Sequence, residues 1–194
     1  MNKLIKVARL MKMVKRFACM VMTVFLLSVM TGCGATSEQW AYNHEPENKI
    51  LELVSNGKAE YKGNGYTYTK DDSFIHLKDK SGNTTDIRYV MEGDEMLFYE
   101  ASAYHREGGS TEDGVYGLWK QNEGKEFFQF NRDGKFSEDN IFFGNYGLDK
   151  DAGTIKLMYS DPLQDTILYY TLDGDTITIE YPWRLVRIKT GTDK

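Results

Sequence analysis

Short β-rich runs separated by turn residues recur along most of the 194-residue chain, and they restrict its fold more than any other feature. In the first half they lie at 66–69, 74–77, 87–90 and 96–99. Each run is rich in aromatic and β-branched side chains, which favour strands. Strands of this length, with turns every 8–12 residues or so, indicate an antiparallel β barrel or sandwich. The predicted fold class is therefore all-β.

The segment 47–55 is compatible with two structures. Ile50, Leu53 and Val54 fall at the spacing of one helix face. The same residues fit a strand that ends at the turn 55–58, because Asn56-Gly57 is a strong hairpin signal. We favour the strand. The second half of the chain repeats landmarks of the first half, and 127–130, the counterpart of 50–53, consists of three phenylalanines and one glutamine, a strand composition.

The second half of the chain repeats the landmarks of the first half in the same order. Trp119 follows Trp40 by 79 residues, and Arg187 follows Arg106 by 81. We expect Trp119, which opens the better-matched half, to be buried. The other matched landmarks are separated by 77 to 81 residues: Asn56-Gly57-Lys58 with Asp133-Gly134-Lys135, Tyr66 with Tyr146, Ile75 and Leu77 with Ile155 and Leu157, and Gly93-Asp94 with Gly174-Asp175.

These matches predict two tandem repeats of about 70 residues, the first at 48–110 and the second at 111–190, followed by a tail at 191–194. The polar, glycine-rich segment 107–114 is predicted to link them. At this size one apolar core is only marginally stable by itself. We therefore expect the two repeats to pack together or to share a sheet.

The start of the chain has the composition of an export signal. Residues 1–32 carry six basic side chains and no acidic one, and residues 17–30 carry no charge. An uncharged run of this length is short for a membrane-spanning helix and suits the apolar core of a signal peptide. We therefore predict an N-terminal signal helix within a signal peptide at 1–32, followed by a polar tether at 33–47.

The remainder of the chain is acidic. It carries 18 basic and 29 acidic side chains, a formal net charge of -11. A body of this charge is repelled by nucleic acid and by anionic lipid head groups. We therefore expect no nucleic-acid partner.

The stretch Met30-Thr31-Gly32-Cys33 resembles the lipobox of bacterial lipoproteins, with Met30 in place of the usual leucine. The resemblance implies signal cleavage between Gly32 and Cys33 and a diacylglyceryl group on Cys33. Two acyl chains anchor a protein stably, whereas one binds only marginally. The implied location is the extracytoplasmic face of the cell membrane. Cys19 would leave with the leader, so no intramolecular disulfide is expected in the mature chain.

The second half of the chain carries a series of short motifs and a terminal arginine: Gly117-Leu118-Trp119, Phe128-Gln129-Phe130, Asp133-Gly134, Gly144-Asn145-Tyr146, Ile155-Lys156-Leu157, Tyr169-Tyr170 and Gly174-Asp175-Thr176-Ile177. This series resembles the small lipocalin-like domains of bacterial lipoproteins, which are antiparallel β structures mostly without a known function. The resemblance covers 117–188 well and 40–106 more weakly. Leu118 departs from the small or hydroxyl residue expected before the tryptophan.

The chain offers little sign of catalysis or metal binding. His44, His76 and His105 lack metal-ligand spacing, and His76 is expected to point outward from its strand. The segment 149–153 resembles the start of a calcium loop but lacks the later ligands, so a hairpin turn is expected there. The chain has no Gly-x-Ser-x-Gly elbow, phosphate loop or dinucleotide fingerprint. We expect no enzyme activity, no cofactor and no metal.

Thirteen aromatic side chains are the remaining candidates for a functional surface. They could line a ligand cavity or simply fill the core, and we favour the core. The expected function is binding of a small apolar ligand or a protein partner, without catalysis. The alternative is a structural or interaction protein of the cell envelope without a pocket. The thirteen residues are Tyr66, Tyr68, Phe74, Tyr89, Phe98, Tyr99, Phe127, Phe128, Phe130, Tyr146, Tyr159, Tyr169 and Tyr170.

Overall fold

A computed structural model of the protein describes residues 35–121, 126–160 and 162–189. The predicted signal peptide at 1–32 with its helix, the cleavage site at Gly32 and Cys33, the lipidation of Cys33 and the tail at 191–194 lie outside the described residues. The strands belong to the unit that begins at Ser37.

Antiparallel β strands make up most of the described chain, and every pairing between them is antiparallel. The all-β, antiparallel prediction is confirmed. The segment 47–55 contains a strand, as favoured. The strands are β1 (Ser37–Tyr42), β2 (Lys49–Val54), β3 (Lys58–Tyr61), β4 (Asn64–Lys70), β5 (Phe74–Lys78), β6 (Thr84–Glu92), β7 (Glu95–Glu107), β8 (Gly117–Lys120), β9 (Phe127–Phe130), β10 (Lys135–Glu138), β11 (Phe142–Asp149), β12 (Thr154–Tyr159), β13 (Thr166–Asp173) and β14 (Thr176–Arg187).

The strand pairing closes on itself. Each strand pairs with its neighbours in chain order, and β14 returns to pair with β1. The two long strands β7 and β14 also pair with each other, from His105 opposite Thr176 to Glu95 opposite Val186. We call this pair of strands the central ribbon. It divides the circuit of fourteen strands into two smaller rings.

Each ring includes one half of β7 and one half of β14. The first ring contains β1–β6, the start of β7, which pairs with β6, and the end of β14, which pairs with β1. The second ring contains β8–β13, the end of β7, which pairs with β8, and the start of β14, which pairs with β13. The first ring is therefore completed by a half-strand that lies far away in the sequence, whereas the second ring is built from elements that follow one another along the chain.

Each ring encloses its own apolar core. Trp40, Leu51 and Phe98 are fully buried in the first core, and Trp119, Phe130 and Ile179 are almost completely buried in the second. The inward side chains alternate along the strands, as a pleated strand with one buried face requires. Both cores are filled with large aliphatic and aromatic side chains.

An arginine stacks on the tryptophan of each core. The Arg187 guanidinium lies 5.0 Å from the ring centre of Trp40, and the Arg106 guanidinium lies 4.2 Å from that of Trp119. Arg106 also donates hydrogen bonds to the backbone oxygens of Tyr116 and Gly114, at 2.7 and 2.6 Å. The prediction that Trp119 is buried is confirmed, since the residue is 0% exposed.

The predicted tether at 33–47 needs correction, and so does the start of the first β segment at 48. Ser37–Tyr42 form strand β1, which pairs with both β2 and β14. Burial of Trp40 and Ala41 holds this strand in the first core although its flanks are polar. Within the predicted linker 107–114, Thr111–Asp113 form a 3₁₀ helix that is capped by Ser110.

One backbone hydrogen bond has the same form in both rings. The Tyr146 amide donates to the Gly134 carbonyl, and the Tyr68 amide donates to the Gly57 carbonyl, both at 2.8 Å.

Candidate functional site

A cleft lies over the middle of the central ribbon, beside the mouth of the second ring. Successive side chains of a strand point to opposite faces, so Phe98, Glu100 and Tyr104 share one face of β7. The register places Tyr181 of β14 opposite Glu100, and Trp183 opposite Phe98. Phe98 and Tyr104 belong to the two separate cores. The ribbon residues between them are left for the cleft.

The cleft has an apolar floor and walls of mixed polarity, and its volume is about 570 Å³. Tyr104 and Phe128 form the floor, with their rings edge to face at 5.4 Å. Burial raises the pKa of Tyr104 to about 12, so its hydroxyl stays protonated. The lining residues are Glu100, Ser102, Tyr104, Gln121, Glu126, Phe127, Phe128, Glu138, Asp139, Phe142, Tyr181 and Trp183.

Glu138 is a half-buried acid of the cleft wall. Its carboxylate accepts a hydrogen bond of 2.7 Å from the Tyr159 hydroxyl. Burial raises the pKa of Glu138, and the nearby carboxylates of Asp139 and Glu126 add to that effect. Burial, together with the Glu138 carboxylate, raises the pKa of both Tyr159 and Tyr181. The wall therefore holds two neutral phenols beside one poorly solvated carboxyl group.

Glu100 occupies the centre of the ribbon and is tied to the first ring. It accepts hydrogen bonds from the Tyr42 and Tyr61 hydroxyls, at 2.7 and 2.8 Å. The Lys62 ammonium lies 3.1 Å from the same carboxylate. Burial and this carboxylate raise the pKa of both tyrosines. The Glu100 carboxylate therefore lines the cleft with part of its negative charge compensated by Lys62 and the two hydroxyl groups.

A row of aromatic rings extends from the cleft along the rim of the first ring. Trp183 lies 5.5 Å from Tyr181 and 5.7 Å from Tyr42, measured between ring centres, and Tyr42 stacks on His44 at 5.4 Å. Trp183 is 39% exposed, in contrast to the buried tryptophans of the two cores. Its indole presents a large apolar surface to solvent at the cleft entrance.

Apolar side chains also stand exposed beside the cleft. Ile141 lies in the turn between β10 and β11, Phe142 and Phe143 begin β11, and Leu163 lies close to Phe142 around a small adjoining pocket. Ile141 is 69% exposed and Phe143 is 53% exposed. A run of this kind is typical of an interaction surface when it is contiguous.

Most of the thirteen aromatic residues singled out in the sequence do not form the cleft. Phe127 and Phe128 line it, and Tyr159 lines the adjoining pocket. The others pack in or against the two cores or lie along the outer faces of the strands. Six of the thirteen are buried: Tyr89, Phe98, Tyr99, Phe128, Phe130 and Tyr146. Core packing is thus the main role of this set.

Sequence reasoning missed the residues that shape the cleft, above all Glu100, Glu138, Tyr181 and Trp183. One signal was present in the sequence. One face of β14 carries every second residue of the strand, namely Ile177, Ile179, Tyr181, Trp183 and Leu185. In this row the amphipathic side chains Tyr181 and Trp183 stand between aliphatic ones. An interruption of this kind within a core-facing row indicates a place where the core opens.

The histidines do not converge on a metal. His44 and His105 are exposed, and half-buried His76 contacts Asp86 at 2.8 Å and Asp71 at 3.3 Å. Within the described ranges, no group of three or more His, Cys, Asp or Glu side chains is arranged to hold a metal ion. The segment 149–153 is a turn between β11 and β12, where the Asp149 carboxylate accepts from the Asp151 and Ala152 amides.

In the part of the chain that the structure describes, no helix has the length and apolar character needed to cross a membrane. Comparisons with protein-family models, with curated proteins and with solved structures gave no match.

Proposed function

We propose that the protein is a membrane-anchored, extracytoplasmic lipoprotein whose β domain binds a small, partly apolar ligand in the central cleft, without catalysing a reaction. The anchor is the diacylglyceryl group on Cys33, attached after cleavage of the signal peptide 1–32. This part of the proposal rests on the lipobox-like stretch and on the basic and apolar leader before it.

The observation that supports ligand binding is the contrast between the filled cores and the cleft. Ligand sites are typically concavities of about 300–1,000 Å³ with apolar walls and a few polar groups. The cleft has about 570 Å³, an aromatic floor and several carboxyl groups. It lies outside the two cores, so a ligand there need not displace core side chains.

We propose also that the two rings arose as tandem repeats. The arginine-on-tryptophan stacks, at Arg187 with Trp40 and Arg106 with Trp119, support this because they have the same chemistry at matching places. The equivalent backbone bonds of Tyr68 and Tyr146 support it further. The repeats then share the central ribbon instead of forming separate domains.

A second candidate function is an interaction protein of the cell envelope. Exposed Phe142 and Leu163, which line one small pocket together, favour it, since large apolar side chains rarely cluster on a free surface. Addition of a partner strand is a poor mode for such an interaction, because every described strand already pairs with a neighbour on each side. A partner would dock on side chains.

Saturation-transfer NMR of the full chain against a library of small aromatic and aliphatic compounds tests the proposal. Hits should bind at least about fivefold more weakly to Trp183→Ala, because this substitution removes an anchor at the cleft entrance. Leu172→Ala is the matched control, since Leu172 is similarly exposed but lies outside the cleft. An absence of hits, or hits that Trp183→Ala leaves unchanged, would contradict binding in the cleft.

A further inference from the structure

The charges that line the central cleft are all of one sign. Its acidic side chains are Glu100, Glu126, Glu138 and Asp139, and no lysine or arginine of the described residues lines it. Lys62 lies outside the lining and contacts Glu100 alone among these acids. The cleft therefore concentrates negative potential inside partly apolar walls, where solvent screens it weakly.

Glu138 is a half-buried acid whose charge has little compensation. One carboxylate oxygen accepts the Tyr159 hydroxyl bond, and in the described structure no cation pairs with this residue. The charged groups nearest to it, Asp139 and Glu126, are also acidic. A half-buried carboxylate in this position gains from any cation that approaches it.

The aromatic rings beside these acids add a second attraction for cations. Tyr181 and Trp183 lie next to each other at 5.5 Å, and Phe142 also lines the cleft. The faces of aromatic rings carry partial negative charge and attract ammonium groups, most strongly at tryptophan. Aromatic faces combined with carboxylates are the surroundings in which quaternary and protonated amines bind.

We propose that the central cleft binds an organic cation, namely a protonated amine or a quaternary ammonium group that carries an apolar body. The proposal rests on the ligand-binding function proposed above and adds the chemical class of the ligand. The charged head lies against Glu138 and the faces of Tyr181 and Trp183. The apolar body contacts the floor formed by Tyr104 and Phe128. A simple metal ion fits less well, because it needs several ligands at one point.

Three probes of similar size test the charge requirement by isothermal titration calorimetry on the full chain. They are benzyltrimethylammonium, its neutral isostere neopentylbenzene, and the anion phenylacetate. We expect the cation to bind at least about tenfold more tightly than the neutral isostere, and the anion to bind most weakly. Affinity for the cation should fall as salt is added, because the attraction is partly Coulombic.

Two variants locate the effect. Glu138→Gln keeps the side-chain volume and removes the charge, so it should weaken the cation at least about tenfold and leave neopentylbenzene unchanged. Glu180→Gln is the control, because it removes one negative charge from the residue next to Tyr181 on β14. That carboxylate pairs with Arg88 at 2.9 Å on the other face of the ribbon. Glu180→Gln should change cation affinity less than about twofold.

The outcomes separate the two proposals. Equal or tighter binding of the neutral or anionic probe, weakened by Trp183→Ala, would overturn the cation class and leave ligand binding in place. Cation binding that Glu138→Gln and Glu180→Gln weaken equally would overturn the assigned site, because general electrostatics would then account for it. Failure of all three probes and of the compound library would overturn both proposals.

Discussion

Gly144 is the position where adding one methyl group should damage the fold most. It lies on β11 between Phe136 of β10 and Tyr159 of β12. A Cβ atom built there would come within 2.1 Å of the Met158 backbone oxygen and 2.9 Å of the Phe136 ring. The nearer neighbour is backbone, so no change of rotamer can relieve the contact.

The cost of Gly144→Ala follows from this geometry. An ordinary carbon–oxygen contact is more than about 1 Å longer, so β12 must move away from β11 by that amount. Overpacking of this kind typically costs 1–3 kcal/mol, and more where backbone has to move. We expect Gly144→Ala to lower the free energy of unfolding by about 3 kcal/mol, a large share of the usual stability of a domain.

Gly147→Ala is the matched control on the same strand. Its added Cβ would meet no atom within 4 Å. Alanine is favoured over glycine within a strand by about 0.5–1 kcal/mol, so this variant should be as stable as the wild type or slightly more stable. Urea unfolding followed by tryptophan fluorescence measures both. A Gly144→Ala protein within about 1 kcal/mol of the wild type would refute the steric argument.

Four other outcomes are expected. Trp119→Ala should cost about 3–5 kcal/mol in urea unfolding, because it empties a filled core, and a loss below 1 kcal/mol would contradict its core role. Burial raises the folded-state pKa of Glu138, so ionisation of this acid destabilises the fold as pH rises through that pKa. Glu138→Gln should therefore raise the melting temperature at pH 7. It should give no such gain below the ordinary pKa of 4.5. The hydrogen bond to Asp86 raises the pKa of His76, so Asp86→Asn should lower it in an NMR titration, and an unchanged titration would refute that cause. Cys33→Ser should abolish fatty-acid labelling and membrane fractionation, whereas a wild-type protein that stays unlabelled and soluble would show that Cys33 is not the anchor.

The local part of the fold could be predicted from the sequence. Ile155 and Leu157 alternate with polar residues, and Asn56-Gly57 marks a tight hairpin, so strand positions follow from neighbours within a few residues. Strand β1 could not be predicted in this way, because its position depends on a strand that is distant in the sequence. Its polar flanks resemble a tether, and its partner Arg187 lies at the other end of the chain.

The candidate site depends on the register of the central ribbon. Tyr181 faces Glu100 only because β14 pairs with β7 in one particular alignment. A shift of β14 by one residue would turn Tyr181 to the face opposite Glu100. No local pattern near either residue encodes that alignment, so the cleft could not be predicted, whereas the burial of Trp119 could.

The shared ribbon has a consequence for how the chain acquires its structure. The first ring cannot close until the end of β14 is present, because Leu185 completes its core and Arg187 covers Trp40. During synthesis the N-terminal half therefore stays incomplete, because β1 cannot pair with β14 until the end of β14 has been made. Closure between such distant segments is slow, and it exposes unpaired strands in the meantime. The two halves should thus acquire their final structure in one late step rather than in order of synthesis.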